Sequence, residues 1–151
     1  MSEQTSYNTL LTVKLAGEFF ALDAMKVGHI LEVPEITEVP NTPDFMKGIF
    51  NLHGNILPVV DLRMMMGFEE VEEYTNDTAI VVVNPDGYQQ SNLGIVVDLV
   101  KEVVEADGIE VKPTVVDGER GMLTNFQGTF FKDGDFVHII DTDELASAAE
   151  L

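Results

Sequence analysis

The chain has 151 residues, enough for one domain with a substantial core but too few for two full-size domains. Its 8 Lys and Arg against 27 Asp and Glu give a formal net charge of −19, which argues against binding to nucleic acid or to an anionic membrane face. Cysteine is absent, so disulfides, thiolate nucleophiles and cysteine-built zinc sites are excluded.

Residues 1–8 are polar and are predicted to form an N-terminal tail before a single domain at residues 9–151. They show no signal-peptide pattern, and no apolar run approaches the length of a membrane-spanning helix. We therefore expect a cytoplasmic protein with no direct membrane insertion.

Apolar residues recur in short runs bounded by Gly, Pro, Asn and Asp, a pattern that predicts strands and tight turns. In chain order the predicted strands are Leu10–Leu15, Phe19–Leu22, Ile30–Val33, Gly48–Leu52, Ile56–Val60, Thr78–Val83, Leu93–Val97, Lys101–Val104, Ile109–Val111, Gly128–Phe131 and Phe136–Ile140. Hairpin turns are predicted between runs at Ala16-Gly17, His53-Gly54-Asn55, Asn84-Pro85-Asp86-Gly87, Asp117-Gly118 and Asp133-Gly134. The number of short strands favours a barrel or a sandwich.

Helical segments are predicted to be short. They are placed at Ala24–Gly28, Pro43–Met46 and Leu62–Met66, and a terminal helix begins near Asp141, which caps it with Glu144 three residues on. The densest negative charge, at residues 69–77, predicts an exposed loop.

Signatures of catalysis are missing from the chain: it has no Gly-rich phosphate loop, G-x-S-x-G elbow or His-Glu-x-x-His motif. Carboxylates are so abundant that no single pair indicates an acid/base dyad. His29, His53 and His138 lie in separate segments without metal-ligand spacing, although folding could bring them together. We predict no catalytic residue, metal or cofactor; a small carboxylate- or metal-dependent hydrolase is the alternative from the enzyme class.

The most informative segment is Gly48–Arg63, GIFNLHGNILPVVDLR. A strand runs into the turn at His53 and returns through a strand whose Pro58 cannot donate a ladder hydrogen bond, which predicts an edge position or a bulge. Asp61 lies where that strand ends and a short helix begins, the place of an N-cap. Physical reasoning alone predicts a hairpin, an edge and a cap, and no reaction.

This segment resembles the CheW-like domain family, whose hallmark is a Gly-x-x-Asn-Leu-Arg-Gly hairpin followed by Pro-x-x-Asp-Leu. The matching positions are Gly48, Asn51, Leu52, His53, Gly54, Pro58, Asp61 and Leu62. The stretches from Phe20 to Pro43 and from Leu93 to Asp98 also look like that family. One position departs: His53 stands where the family usually has Arg, so a ring with one or two donors replaces a permanently charged fork.

The resemblance implies a mainly β fold of two small five-stranded SH3-like barrels that share a hydrophobic interior, with short helices and a C-terminal helix. It also implies a non-catalytic adaptor in bacterial chemotaxis, coupling chemoreceptor cytoplasmic tips to the regulatory domain of the CheA histidine kinase at membrane-associated receptor arrays. A module of a parallel, non-chemotactic two-component pathway is the alternative.

Carried over by position, the resemblance implies a receptor-facing groove. Its members are Val27, Gly48, His53, Ala79, Gly94 and Val103. Core packing explains the apolar members as well as partner contact does, and backbone geometry alone would explain the two glycines.

Overall fold

The structure is a computed structural model that describes residues 9–68, 73–85, 92–113 and 126–149. Within these ranges the chain forms ten strands and two α-helices. They are β1 (Thr9–Leu15), β2 (Glu18–Asp23), β3 (Val27–Glu32), β4 (Met46–Leu52), β5 (Asn55–Asp61), α1 (Leu62–Met65), β6 (Ala79–Val83), β7 (Leu93–Val97), β8 (Leu99–Glu105), β9 (Phe126–Lys132), β10 (Asp135–Ile140) and α2 (Thr142–Ala148). The predicted mainly β fold is confirmed.

The strands form two five-stranded sheets with the same plan. The first has the order β8-β1-β2-β10-β9 and the second the order β3-β6-β7-β5-β4. In each sheet two antiparallel hairpins meet through one parallel pair, β2 with β10 and β5 with β7. The strand after each central hairpin crosses to the other sheet, β3 leaving the first and β8 leaving the second. The two halves are therefore interlocked.

Several central strands are buried on both faces, which explains why they read as continuous apolar runs. Along β6, Val81 and Val83 belong to a cluster shared by the two sheets, whereas Ile80 and Val82 belong to a cluster of the second sheet. The shared cluster also takes buried side chains from β1, β2, α1 and α2, among them Leu11, Val13, Leu15, Phe20, Leu22, Met65 and Leu145. The predicted common interior is confirmed.

Three hairpin turns have positive φ at both central residues. The φ values are 49° and 86° at Ala16-Gly17, 52° and 89° at His53-Gly54, and 52° and 87° at Asp133-Gly134. Two-residue turns of this kind match the right-handed twist of the strands that they join. The three predicted turns are confirmed.

Both predicted helix caps are confirmed. The side chain of Asp61 accepts a hydrogen bond from the backbone N–H of Arg63 at 3.0 Å, and α1 begins at the next residue after Asp61. The side chain of Asp141 accepts from the backbone N–H groups of Asp143 and Glu144 at 3.0 and 3.2 Å. Capping fixes where each helix starts.

Two local predictions are wrong and one is too long. Residues 109–111 form no strand, because their apolar side chains pack against the core from a loop and Lys112 alone makes an isolated bridge to Thr129. Pro43–Met46 is a turn closed by one hydrogen bond, from Met46 N–H to Pro43 O at 3.0 Å. The helix expected over Ala24–Gly28 is a 3-10 turn at Ala24–Lys26.

Pro58 predicted an edge position or a bulge. The edge is wrong, because β5 lies between β7 and β4, but the β4–β5 pair does contain a register shift, between Met46 and Gly48. Opposite Pro58, the backbone N–H and C=O of Ile49 both bond to Thr37 at 2.9 Å, on the far side of β4. The nitrogen of Pro58 therefore faces the β7 side, where pairing begins only at Val59. An inner strand tolerates this proline because no ladder partner lies opposite its nitrogen.

Some predictions lie outside the described residues. These are the tail at 1–8, the turn at 117–118, residues 86–87 of the turn at 84–87 and part of the acidic loop, 69–72. Residues 73–77 of that loop are exposed.

Candidate protein-binding surface

The β4–β5 hairpin carries His53 at its tip. The ring is exposed, and its backbone adopts the left-handed conformation with φ of 52°. Asn51 holds the turn, because its side-chain Oδ1 accepts a hydrogen bond from the N–H of Gly54 at 2.8 Å. Asn51 and Gly54 of the hairpin motif thus shape the turn, and His53 presents its side chain to solvent.

The ring of His53 lies against the ring of His29. Their centroids are 5.8 Å apart and the ring planes are inclined by 42°. His29 belongs to β3, and β3 and β4 are the two outer strands of the second sheet. The contact therefore lies where the sheet curls around to close as a barrel, and we call this pair the histidine seam. The two strands are consecutive in the chain, but β6, β7 and β5 lie between them in the sheet.

A single row of residues crosses the second sheet from this seam. His29 is paired with Val82, Val82 with Gly94, Gly94 with Val59, and Val59 with Gly48. The two glycines assigned to the groove thus flank the same valine on neighbouring strands.

Both glycines are buried, and close packing explains why they are glycine. Gly48 has φ of 143° beside a register shift in β4, and a Cβ there would overlap the carbonyl oxygen of Thr37. A Cβ on Gly94 would lie 3.1 Å from Cγ2 of Ile80. Neither position offers a side chain to a partner, so any effect on binding is exerted through the shape of the sheet.

The other groove positions divide between core and surface. Val27 and Ala79 are partly buried and pack against the shared cluster. Val103 is 63% exposed on β8, in the first sheet, whereas the other groove residues belong to the second. Of the six predicted residues, His53 and Val103 have exposed side chains in the structure.

Val103 is part of an exposed apolar surface on the first barrel. It lines a shallow depression between β8 and β9 together with Phe131, which is 62% exposed and packs edge-on against Phe136 at a centroid distance of 5.1 Å. Lys132 and Glu102 form an ion pair of 3.4 Å across the same two strands. Large exposed apolar side chains in one place are typical of a contact surface.

A buried charge network joins the two halves. Of its residues, the sequence predicted a role only for Asp61, as the N-cap of α1. Arg63, with a side chain 2% exposed, donates through Nε and Nη2 to Asp61 at 3.0 and 2.8 Å and through Nη1 to Asp98 at 2.8 Å. Asp98 in turn accepts from the N–H of Ala16, in the β1–β2 turn, at 2.7 Å. The ring of Tyr74 lies over the guanidinium at 5.6 Å.

Two groups of the network, Arg63 and Tyr74, have raised pKa values, so the guanidinium stays charged and the phenol stays neutral near neutral pH. Burial lowers the pKa of Arg63, but the hydrogen bonds and negative charges of Asp61 and Asp98 outweigh burial and raise that pKa overall. Burial, and then the charge of Asp61, raise the pKa of the Tyr74 phenol against the opposing charge of Arg63. Groups fixed in one charge state suit a structural link better than proton transfer.

Within the four described ranges, no group of three or more His, Asp or Glu is placed to hold a metal ion. In the same part of the chain, no helix has the length and apolar character needed to cross a membrane.

Comparison with known proteins gives concordant matches. The model of the CheW-like domain family matches residues 9–150. The chemotaxis protein CheW of Klebsiella aerogenes is 34% identical over 113 residues, which cover 75% of this chain and 66% of that protein, and that of Treponema pallidum is 26% identical over 147 residues, covering 94% and 84%. The crystal structure of the scaffolding protein TtCheW from Thermoanaerobacter tengcongensis superposes with a TM-score of 0.75 at 30% identity over 89% of each chain.

Proposed function

Because the chain belongs to the CheW-like domain family, we propose that it is a non-catalytic adaptor coupling chemoreceptor cytoplasmic tips to the regulatory domain of the CheA histidine kinase. The observation that carries the proposal is the family match over almost the whole chain, together with its hairpin motif. Similarity to chemotaxis proteins and to a scaffolding protein supports it. The adaptor works in the cytoplasm and reaches membrane-associated receptor arrays through its partners.

We place the receptor contact around His53. Its exposed ring and fixed turn support this, because a backbone turn that is already ordered in the free protein loses little conformational freedom on binding. Four other groove residues contribute by shaping the sheet below it: Val27, Gly48, Ala79 and Gly94. Val103 offers an exposed apolar contact on the other barrel.

His53 also affects which receptor the chain can bind. An arginine at this position would present several donors in a planar fork, which suits a carboxylate, whereas the imidazole presents one or two donors. The cognate receptor is therefore expected to offer a single hydrogen-bond acceptor or an aromatic or apolar surface opposite the ring.

Calorimetry with a soluble fragment of the cognate receptor tip tests this placement. His53→Ala removes the ring, and His53→Asn does so while accepting the left-handed backbone. Each should weaken binding by about 1–2 kcal/mol, roughly tenfold, as expected for an exposed contact residue. Glu110→Gln, at an exposed position of the first barrel, is the matched control.

Unchanged affinity in both His53 variants would show that the residue serves the turn alone. If only His53→Ala loses affinity and also unfolds more readily, the backbone conformation rather than the ring explains the loss.

A further inference from the structure

The two rings of the histidine seam are separated by a distance that suits two imidazoles on one metal ion. A metal–nitrogen bond of about 2.0–2.1 Å, added to the roughly 1.1 Å from a ring nitrogen to its centroid, puts a metal about 3.2 Å from each centroid. Two imidazoles on one ion then have centroids about 5.2 Å apart at the tetrahedral angle of Zn²⁺, and about 4.5 Å (cis) or about 6.4 Å (trans) apart in the square or octahedral geometry of Cu²⁺ and Ni²⁺. The centroids of His29 and His53 are 5.8 Å apart. The observed separation lies within this range, and because both rings are exposed, their side chains are free to rotate so that one nitrogen of each faces a shared ion.

We propose that His29 and His53 together bind one divalent transition metal ion, through one nitrogen of each ring. Imidazole suits Cu²⁺, Ni²⁺ and Zn²⁺, and by the usual order of stability Cu²⁺ binds most tightly of the three. Mg²⁺ and Ca²⁺ prefer oxygen ligands and do not compete for the pair.

The pair forms an open site. In the part of the chain that the structure describes, no third His, Asp or Glu completes a cluster around it. Water or an added ligand therefore fills the remaining coordination positions, and binding is reversible. The net charge of −19 raises the concentration of cations near the protein and favours their capture.

A metal ion bound at the histidine seam stabilises the folded second barrel. His29 belongs to one outer strand, and His53 lies in the turn after the other. An ion held by both bridges the two ends of the sheet and binds the folded chain better than the unfolded one, so the melting temperature rises with metal concentration. This binding needs neither receptor nor kinase, so its test is separate from that of the adaptor function.

The test is calorimetric titration of the full, untagged chain with NiCl₂ in excess Mg²⁺, which occupies nonspecific carboxylate sites. One Ni²⁺ should bind per chain. His29→Gln and His53→Asn should each weaken binding at least tenfold. His138→Gln is the matched control, because His138 lies on β10 of the first barrel, with its Nδ1 2.8 Å from the Thr129 hydroxyl, and should bind Ni²⁺ like the wild type.

Electron paramagnetic resonance of the Cu²⁺-loaded wild-type chain gives a readout that needs no variant. Coupling to two imidazole nitrogens supports the pair; coupling to one or none overturns it. The proposal is equally overturned if Ni²⁺ in large excess does not bind, or if His29→Gln and His53→Asn bind it like the wild type.

Discussion

Arg63→Met removes the cation from the buried charge network and leaves a side chain of similar length in its place. Asp61 is then stranded, since its side chain is 1% exposed and its two contacts with the guanidinium are lost. Asp98, 29% exposed, can still be solvated. The cap on α1 survives, because Asp61 keeps its hydrogen bond from the backbone N–H of residue 63.

The expected loss is about 3–5 kcal/mol in the free energy of unfolding, the range for breaking a buried ion pair by removal of one partner. The lost contact with Tyr74 adds little, because that ring is 42% exposed. A loss of this size is a large part of the roughly 5–15 kcal/mol that stabilises a domain. Arg63→Lys should give a smaller loss, because it keeps the charge but not the fork of donors.

Urea unfolding followed by far-ultraviolet circular dichroism suits the measurement, since the chain has no tryptophan. Lys112→Met is the matched control: it removes a cation 71% exposed that forms a 3.8 Å pair with Glu110, and should cost about 0–1 kcal/mol. The reasoning is refuted if Arg63→Met loses no more than Lys112→Met.

The pH dependence of the Arg63 effect follows from the raised pKa. A folded pKa above the unfolded value gives stabilisation that is complete below the ordinary arginine pKa and is lost only in strong alkali. The difference between wild type and Arg63→Met should therefore stay constant from about pH 7 to about pH 9.

Gly48→Ala should lower the free energy of unfolding by about 2–4 kcal/mol, because the new Cβ meets the Thr37 carbonyl in a strained backbone. Gly17→Ala, where φ is 86° and the space is open, should lower it by roughly 1–2 kcal/mol. Equal losses in urea unfolding would contradict this prediction. Because the pKa of Tyr74 is raised in the folded chain, the stabilisation that Tyr74 gives is complete below about pH 10 and is lost as the pH rises through the folded pKa. Tyr74→Phe should therefore flatten the fall in melting temperature at alkaline pH. Identical plots of melting temperature against pH for the two chains would disprove this. Val104→Ala should lower the free energy of unfolding by about 1.5–3 kcal/mol because Val104 is buried, and Val103→Ala should lower it by under about 0.5 kcal/mol because Val103 is exposed. Only Val103→Ala should weaken binding of the receptor tip. The opposite pattern would show that Val103 is not part of the groove.

Local chemistry was predictable from the sequence. Dipeptides such as Asp133-Gly134 predicted the hairpins, and Asp61 and Asp141 predicted helix starts, because these effects act within a few residues. Ile109–Val111 misled the strand prediction, because an apolar run records burial and not whether the backbone finds a ladder partner.

The parts of the site that depend on topology were not predictable. His29 reaches His53 only because β3 crosses to the second sheet and that sheet closes as a barrel. Asp98 reaches Arg63 across 35 positions of the chain. A single sequence carries no direct record of either juxtaposition.

The adaptor function is tested most directly by mixing the full chain with the cognate receptor cytoplasmic tip and kinase regulatory domain and measuring co-sedimentation. We predict that the chain sediments in one complex with both partners, and that His53→Asn lowers the amount of receptor tip in the complex while the amount of kinase domain stays the same. A chain that binds neither partner would contradict the account.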